Sequence, residues 1–220
     1  MRFRNPKNIT AICLSSFFAV LVILILDSFT LNYWIKSVIK VTTWVAAMII
    51  ACKPKPMTIF KPKLHKSFFI TAGLAIVSLI TVVFLTPIAI SWLNLNQAQE
   101  HLTDIGVAKD YFLVSAYIVL INSVLEEVFF RGMCTLKLEE NSNRTFAVTY
   151  SSLLFATYHI PMMAQIFPVY LTVICFALLF FVGLVFTMLN NKTKNIYNAW
   201  IVHACTNVAL QYCGYMLLQA

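Results

Sequence analysis

The chain is predicted to be all-α, a polytopic bundle of about seven transmembrane helices, and three observations carry that expectation. Of its 220 residues, 60% are hydrophobic and only 11% are charged, far below the roughly 25% of an average soluble domain. The apolar residues come in long runs, and a helix needs about 20 predominantly apolar residues to cross a bilayer. Most basic residues stand between those runs, as loop charges in membrane proteins do. The length accommodates a single membrane domain over residues 1–220, with no separate soluble domain.

Span 1 is expected from about Ile9 to Leu31, behind Arg2, Arg4 and Lys7. Such a flank imitates a secretory leader, but the run is long for a leader's apolar core and lacks a clear small-x-small cleavage site, so it reads as an anchor. Span 2 covers about Val38 to Cys52. Lys53 to Lys66 holds five lysines, His65 and three prolines without one acidic residue, which puts it outside the hydrocarbon. Span 3 extends from about Ser67 to Leu93, with Pro87 expected to kink its far end. The loop Asn94 to Asp110 carries Glu100, Asp104 and Asp110 against one lysine. Span 4, about Tyr111 to Leu136, is joined by a polar loop, Lys137 to Arg144, to span 5, which ends near His159 because Pro161 follows. Spans 6 and 7 cover about Ile166 to Leu189 and Ile196 to Leu218.

With a cytoplasmic N-terminus, seven alternating spans place Arg2, Arg4, Lys7, the five-lysine loop, Lys137, Arg144, Lys192 and Lys194 inside. Lys36, Lys40 and Lys109 remain outside, beside the acidic loop. The positive-inside rule expects this asymmetry, and the C-terminus then faces outward. The net charge of +8 does not indicate nucleic acid, because the basic stretches have no interleaved aromatics. The partner implied by composition is the lipid bilayer. Cys13, Cys52, Cys134, Cys175, Cys205 and Cys213 form no C-x-x-C pair and read as small hydrophobic filler.

Three polar sets interrupt the apolar helices. The first, Glu126, Glu127 and Arg131 in span 4, is costly at membrane depth, at least roughly 2.5 kcal/mol per group on insertion scales. Glu127 and Arg131 stand four apart with the acid first, the favoured order for an ion pair. Glu126, about 100° around the helix, has no partner in this segment. The second set is Phe155 and His159 near the end of span 5. The third, His203 and Asn207, occupies one face of span 7. Taken alone, the first and third sets could hold helices together and His159 could be an interfacial residue. Together they permit hydrolysis of a carbonyl by water, with Glu126 as general base and His159 polarising the water or relaying its proton. His203 and Asn207 would offer N–H donors to the oxyanion, while Arg131 holds Glu127. Counted along helices, Glu126 and His203 lie roughly 16 and 13 Å from the inner surface. His159 lies roughly 22 Å away, so span 5 must tilt or begin deeper.

The order Glu-Glu-x-x-x-Arg, Phe-x-x-x-His, His-x-x-x-Asn resembles the three motifs of the CPBP family, the CAAX-protease and bacteriocin-processing enzymes also called Abi proteins. All three are complete here, as Glu126, Glu127 and Arg131, Phe155 and His159, and His203 and Asn207. The likeness spans residues 122 to 207, within an expected catalytic core over 111–218. It implies a membrane-embedded protease (a hydrolase) acting on a membrane-associated or lipidated peptide, as in CAAX processing, or on a leader or signalling peptide. A short chain without an added soluble domain leans towards a bacterial plasma membrane, where bacteriocin maturation or immunity fits better than prenylated substrates. The family has also been described as metalloproteases, and Glu126, His159 and His203 could ligate zinc. Without a His-Glu-x-x-His helix or a thiolate set, a metal-free glutamate mechanism with no cofactor is favoured. Two further readings stand beside it. One is a non-catalytic scaffold or immunity protein that binds a membrane partner. The other, an ion carrier, would spread its acidic residues along a path.

Overall fold

The computed structural model describes residues 5–52, 67–92, 96–191 and 194–219. The five-lysine loop, Arg2, Arg4 and Lys192 lie outside them. Among the described residues the chain is all helical, with α1 (Pro6–Asp27), α2 (Tyr33–Cys52), α3 (Ser67–Trp92), α4 (Asn96–Asp104), α5 (Tyr111–Asn141), α6 (Arg144–Tyr158), α7 (Ile160–Ile166), α8 (Val169–Asn191) and α9 (Tyr197–Gln219). Asn5 and Asn143 cap α1 and α6 by accepting from Asn8 N and Phe146 N.

Polar links tie the helix ends into two opposite layers. At one end Asn8 Nδ2 donates to Asn141 Oδ1 (3.1 Å) and Lys194 pairs with Glu139 (2.8 Å). At the other, Lys36 pairs with Asp27 (3.3 Å), Gln165 Nε2 donates to Asp27 O (2.8 Å) and Trp34 Nε1 donates to Asp110 Oδ2 (3.1 Å). Tyr111, beside Asp110, reaches the carbonyl of Gln211 in the last helix, so α9 ends in this second layer. The start of α1 and the end of α9 thus lie on opposite sides, which requires an odd number of crossings. Seven passes satisfy it: α1, α2, α3, α5, α6 continued by α7, α8 and α9.

The helices α1, α2, α3, α5 and α8 are each long and apolar enough to span a bilayer by themselves. At 15 residues, α6 is roughly 22 Å long, short of the roughly 30 Å hydrocarbon core. Pro161, which lacks an N–H, follows its end and begins α7 at a break. Large apolar side chains such as Phe69, Phe84, Phe112 and Val169 face outward, as lipid-facing surface requires.

Two lengths differ from the sequence reading. The acidic loop contains a short helix, α4, and α5 does not stop at Leu136 but runs to Asn141. The extension moves the turn to Ser142 and Asn143, so Glu126 and His159 each stand 15 residues from its flanks. That places both roughly 22 Å from the same turn and removes the depth mismatch. It also puts Glu126 at the middle of a 31-residue helix, near mid-membrane rather than towards one surface. His203 reaches the same level because the turn before α9 dips into the bundle, where buried Ile196 packs on Val128.

Central α5 packs against α2, α6, α8 and α9. α3 runs parallel to α9, with Ala75 beside Val202, Ser78 Oγ accepting from Thr206 (3.2 Å) and Thr86 beside Cys213. α6 and α8 approach most closely at Gly183, where a Cβ would stand 3.0 Å from the Ser152 backbone. Gly183→Val is therefore expected to force α6 and α8 apart and to destabilise the protein by about 1–3 kcal/mol. Thermal unfolding in detergent measures this, and an unchanged melting temperature would contradict the packing.

Candidate active site

α5 departs from α geometry twice, in π-helical turns over Ile118–Asn122 and Glu127–Lys137. These flank the four residues Ser123–Glu126. Such expanded turns are rare and concentrate at functional sites. Inside the second stretch, the Phe130 carbonyl accepts from Thr135 Oγ1 (3.1 Å) and from Ser151 Oγ of α6 (2.7 Å), which fastens the widened helix to its neighbour.

Glu127 and Arg131 are both fully buried and pair at 3.3 Å. His203 of α9 presents Nδ1 to the same Glu127 oxygen at 2.9 Å. A carboxylate accepts only, so Nδ1 carries a proton and Glu127 fixes the ring's orientation. The guanidinium is otherwise enclosed by rings, 4.3 Å from the centroid of Phe155 and 5.0 Å from that of Phe186. An arginine faces aromatic rings favourably when desolvated. The motif phenylalanine Phe155 is therefore part of the wall that holds Arg131, and it also meets His159 edge-on (4.6 Å).

Glu126 is 2% exposed. Contrary to expectation, it is not left without a partner: Lys40 of α2 pairs with its Oε1 at 3.0 Å. Asn122 Nδ2 donates to the same oxygen at 2.7 Å, and Tyr158 OH lies 3.3 Å from it. The sequence reading counted Lys40 among the outer loop charges, yet its ammonium is buried inside the bundle. Lys40 stands inside the expected span 2, and an ionisable residue within a span is itself the signal that could have flagged it. Asn122, one turn before Glu126, and Tyr158, beside His159, were also missed as site residues, as was Phe186.

The second oxygen, Glu126 Oε2, is buried and has no hydrogen-bond partner. It faces His203 Nε2 at 3.6 Å and His159 Nε2 at 4.0 Å. His159 Nδ1 lies 2.7 Å from the Phe155 carbonyl, so it donates there, and when the ring is neutral its Nε2, on the side of Glu126, is an acceptor. Asn207 lies one turn beyond His203, its Nδ2 at 3.5 Å from the Ile118 carbonyl at the first expanded turn of α5. Three distant segments thus bring Glu126, His159 and His203 together, with Glu127, Arg131 and Phe155 behind them. Asn207 joins on the α9 side.

Zinc fits this set poorly. Among the described residues no three His, Cys, Asp or Glu side chains are gathered as a metal-binding group. Lys40 already places a positive charge 3.0 Å from the carboxylate that a divalent cation would need. Glu126 and His203 are buried at the centre, while the His159 side chain remains partly exposed. An open cavity of about 550 Å³ lies by Asp110, Tyr111 and Tyr215. An apolar one of about 450 Å³ is lined by Trp34, Tyr117, Leu120 and Ile121 between α2 and α5. Neither is lined by Glu126, His159 or His203.

Because Glu127 and Arg131 are sealed from water, removing one strands the other. Arg131→Met is expected to destabilise by about 3–5 kcal/mol, with the double variant Glu127→Gln and Arg131→Met less harmed than the sum of the two single changes. A double-mutant cycle by thermal unfolding in detergent checks this, and additivity would contradict the pair.

Among curated proteins and among solved structures, comparison finds no match. Residues 108–209 match the family model described as type II CAAX prenyl endopeptidase Rce1-like. That segment contains all three polar sets and supports a membrane-embedded, CAAX-type protease. The segment that builds this centre is therefore similar to the type II CAAX prenyl endopeptidases of the Rce1-like kind.

Proposed function

We propose that the chain is an intramembrane endopeptidase that hydrolyses a peptide bond of a membrane-associated or lipidated peptide or protein, with Glu126 as general base and no metal in the reaction. One observation carries the reading: a buried, unengaged carboxylate oxygen opposed by two imidazole nitrogens, 3.6 and 4.0 Å away. Oε2 and neutral His159 Nε2 are both acceptors, so their separation suits a water that donates one hydrogen to each.

That water's oxygen attacks the scissile carbonyl carbon as Glu126 takes its proton, and the π electrons move to the carbonyl oxygen. His203, held through Nδ1 by Glu127, stabilises the resulting oxyanion through Nε2 when protonated, with the Asn207 amide as second donor. The carbon–nitrogen bond then breaks as the proton on Glu126 passes to the departing amine. Arg131 and Phe155 keep Glu127 and the imidazoles in register. The apolar cavity between α2 and α5 ends beside Ile121, next to Asn122, and would accept an apolar tail or segment of the substrate. A lipidated C-terminus is one substrate class. A leader or signalling peptide is the other, in bacteriocin maturation or self-immunity within a bacterial plasma membrane, the N-terminus cytoplasmic.

A second reading has one observation in its favour. Lys40 balances Glu126 and Arg131 balances Glu127, a set that a non-catalytic scaffold or immunity protein could use to fasten α2, α5 and α9.

Reconstituted full-length protein is to be given internally quenched peptides, one ending in a farnesylated CAAX sequence and one resembling an unlipidated leader. Wild-type protein is expected to cleave at least one. Glu126→Gln and His159→Ala are expected to lower the rate about 10²–10⁴-fold while the protein still accumulates in membranes. Undiminished cleavage by both variants, or none by the wild type, would favour the scaffold. Chelators are expected to leave the rate unchanged, whereas stoichiometric zinc lost together with activity would overturn the metal-free mechanism.

A further inference from the structure

Lys40 lies outside the three motifs and outside the matched segment 108–209, yet it is the cation nearest the proposed base. Its environment is built to hold an ammonium. Nζ lies 2.5 Å from Asn122 Oδ1, 3.0 Å from Glu126 Oε1 and within contact of Tyr158 OH. An ammonium has three hydrogens and no acceptor, so three acceptors from α5 and α6 satisfy it completely. The charge also stands 4.6 Å from the ring centroids of both Trp44 and Tyr158. Trp44 in turn stacks on Phe129 (4.3 Å), and this closes the pocket against water.

The consequence falls on the two oxygens of Glu126. Oε1 receives Lys40 Nζ, Asn122 Nδ2 and Tyr158 OH, from α2, α5 and α6. Oε2 receives no donor and faces the two imidazoles. A mobile carboxylate exchanges its oxygens by rotation, but here the donors at Oε1 oppose that turn. The same charge sits within 3.0 Å of an almost wholly buried carboxylate, where an uncompensated anion would take up a proton.

Resting on the proposed hydrolysis, we infer that Lys40 is a positioning residue: it keeps Glu126 ionised and fixes Oε1 as the anchored oxygen, so that Oε2 alone serves as the base. It does not touch substrate. Asn122 and Tyr158 complete the clamp, Asn122 by bridging ammonium and carboxylate and Tyr158 by bonding to both. Bundle stability alone would be served as well by packed apolar residues in place of both Lys40 and Glu126, since a buried ion pair is often replaceable in that way.

The test is infrared spectroscopy of the full-length protein in lipid at neutral pH, with the Glu126 band assigned by Glu126→Gln. Wild-type protein is expected to show Glu126 as carboxylate. Lys40→Met is expected to convert it to the protonated acid, and Lys40→Arg to keep the carboxylate. Tyr158→Phe, which retains the charge and the fold, is expected to shift the carboxylate band without protonating it, and so reads the clamp even if Lys40→Met unfolds. With whichever quenched peptide the wild type cleaves, Lys40→Met should lose at least about 100-fold in kcat with KM little changed, and Lys40→Arg should recover part of it. A folded Lys40→Met protein that keeps the wild-type carboxylate band would overturn the inference, as would an unshifted band in Tyr158→Phe. A wild type that shows the expected spectra but cleaves no peptide would instead defeat the peptidase reading, because the infrared arm decides the role of Lys40 without any substrate.

Discussion

Two adjacent carboxylates sealed inside a membrane bundle are the constraint on which the rest of this structure depends. Neighbouring residues on a helix point in different directions, so Glu126 and Glu127 cannot share a partner on their own helix. Each recruits a cation and an imidazole: Lys40 with His159 for Glu126, Arg131 with His203 for Glu127. His203 also faces Glu126 through its other nitrogen, 3.6 Å away. Satisfying both acids requires α2, α6 and α9 to converge on the middle of α5. The polar groups therefore set the helix arrangement where lipid-facing apolar surface offers little specificity.

The two acids divide the work. Glu127 is consumed by structure, with Arg131 and His203 on one of its oxygens and a wall of Phe155 and Phe186 beyond. Glu126 has one oxygen committed and one uncommitted. Glu127 Oε2 also lacks a donor, but only Glu126 Oε2 is opposed by two imidazole nitrogens, the arrangement acid–base chemistry needs, and preorganised surroundings spare reorganisation when charge develops. The seam between α2 and α5 holds an apolar cavity one residue from Asn122, and the Lys40 contacts to Asn122 and Glu126 cross the same seam.

Hydropathy made the spans legible because the bilayer imposes length and apolarity on each of them. The places where it failed have physical reasons. Lys137–Asn141 reads as a polar loop, but Leu138, Glu139 and Glu140 are good helix formers and simply carry α5 out of the hydrocarbon. α4 and α7 are too short and too polar or broken to show in a pattern built for spans. The π turns leave no periodic trace that apolar residues alone would reveal. The motif residues were legible as types at fixed spacing, which gave Glu126, Glu127, Arg131, Phe155, His159, His203 and Asn207. Lys40 was not, because a lysine near a span's end looks like a topology signal until a partner helix is placed beside it.

The central claim is that Glu126 Oε2, His159 Nε2 and His203 Nε2 enclose the position of a reactive water. A high-resolution experimental structure in lipid tests it most directly. The account predicts an ordered water within hydrogen-bonding reach of Glu126 Oε2 and His159 Nε2, with Lys40 on the opposite oxygen. A Glu126 side chain turned towards the acyl chains, or both imidazoles beyond reach of it, would contradict the account.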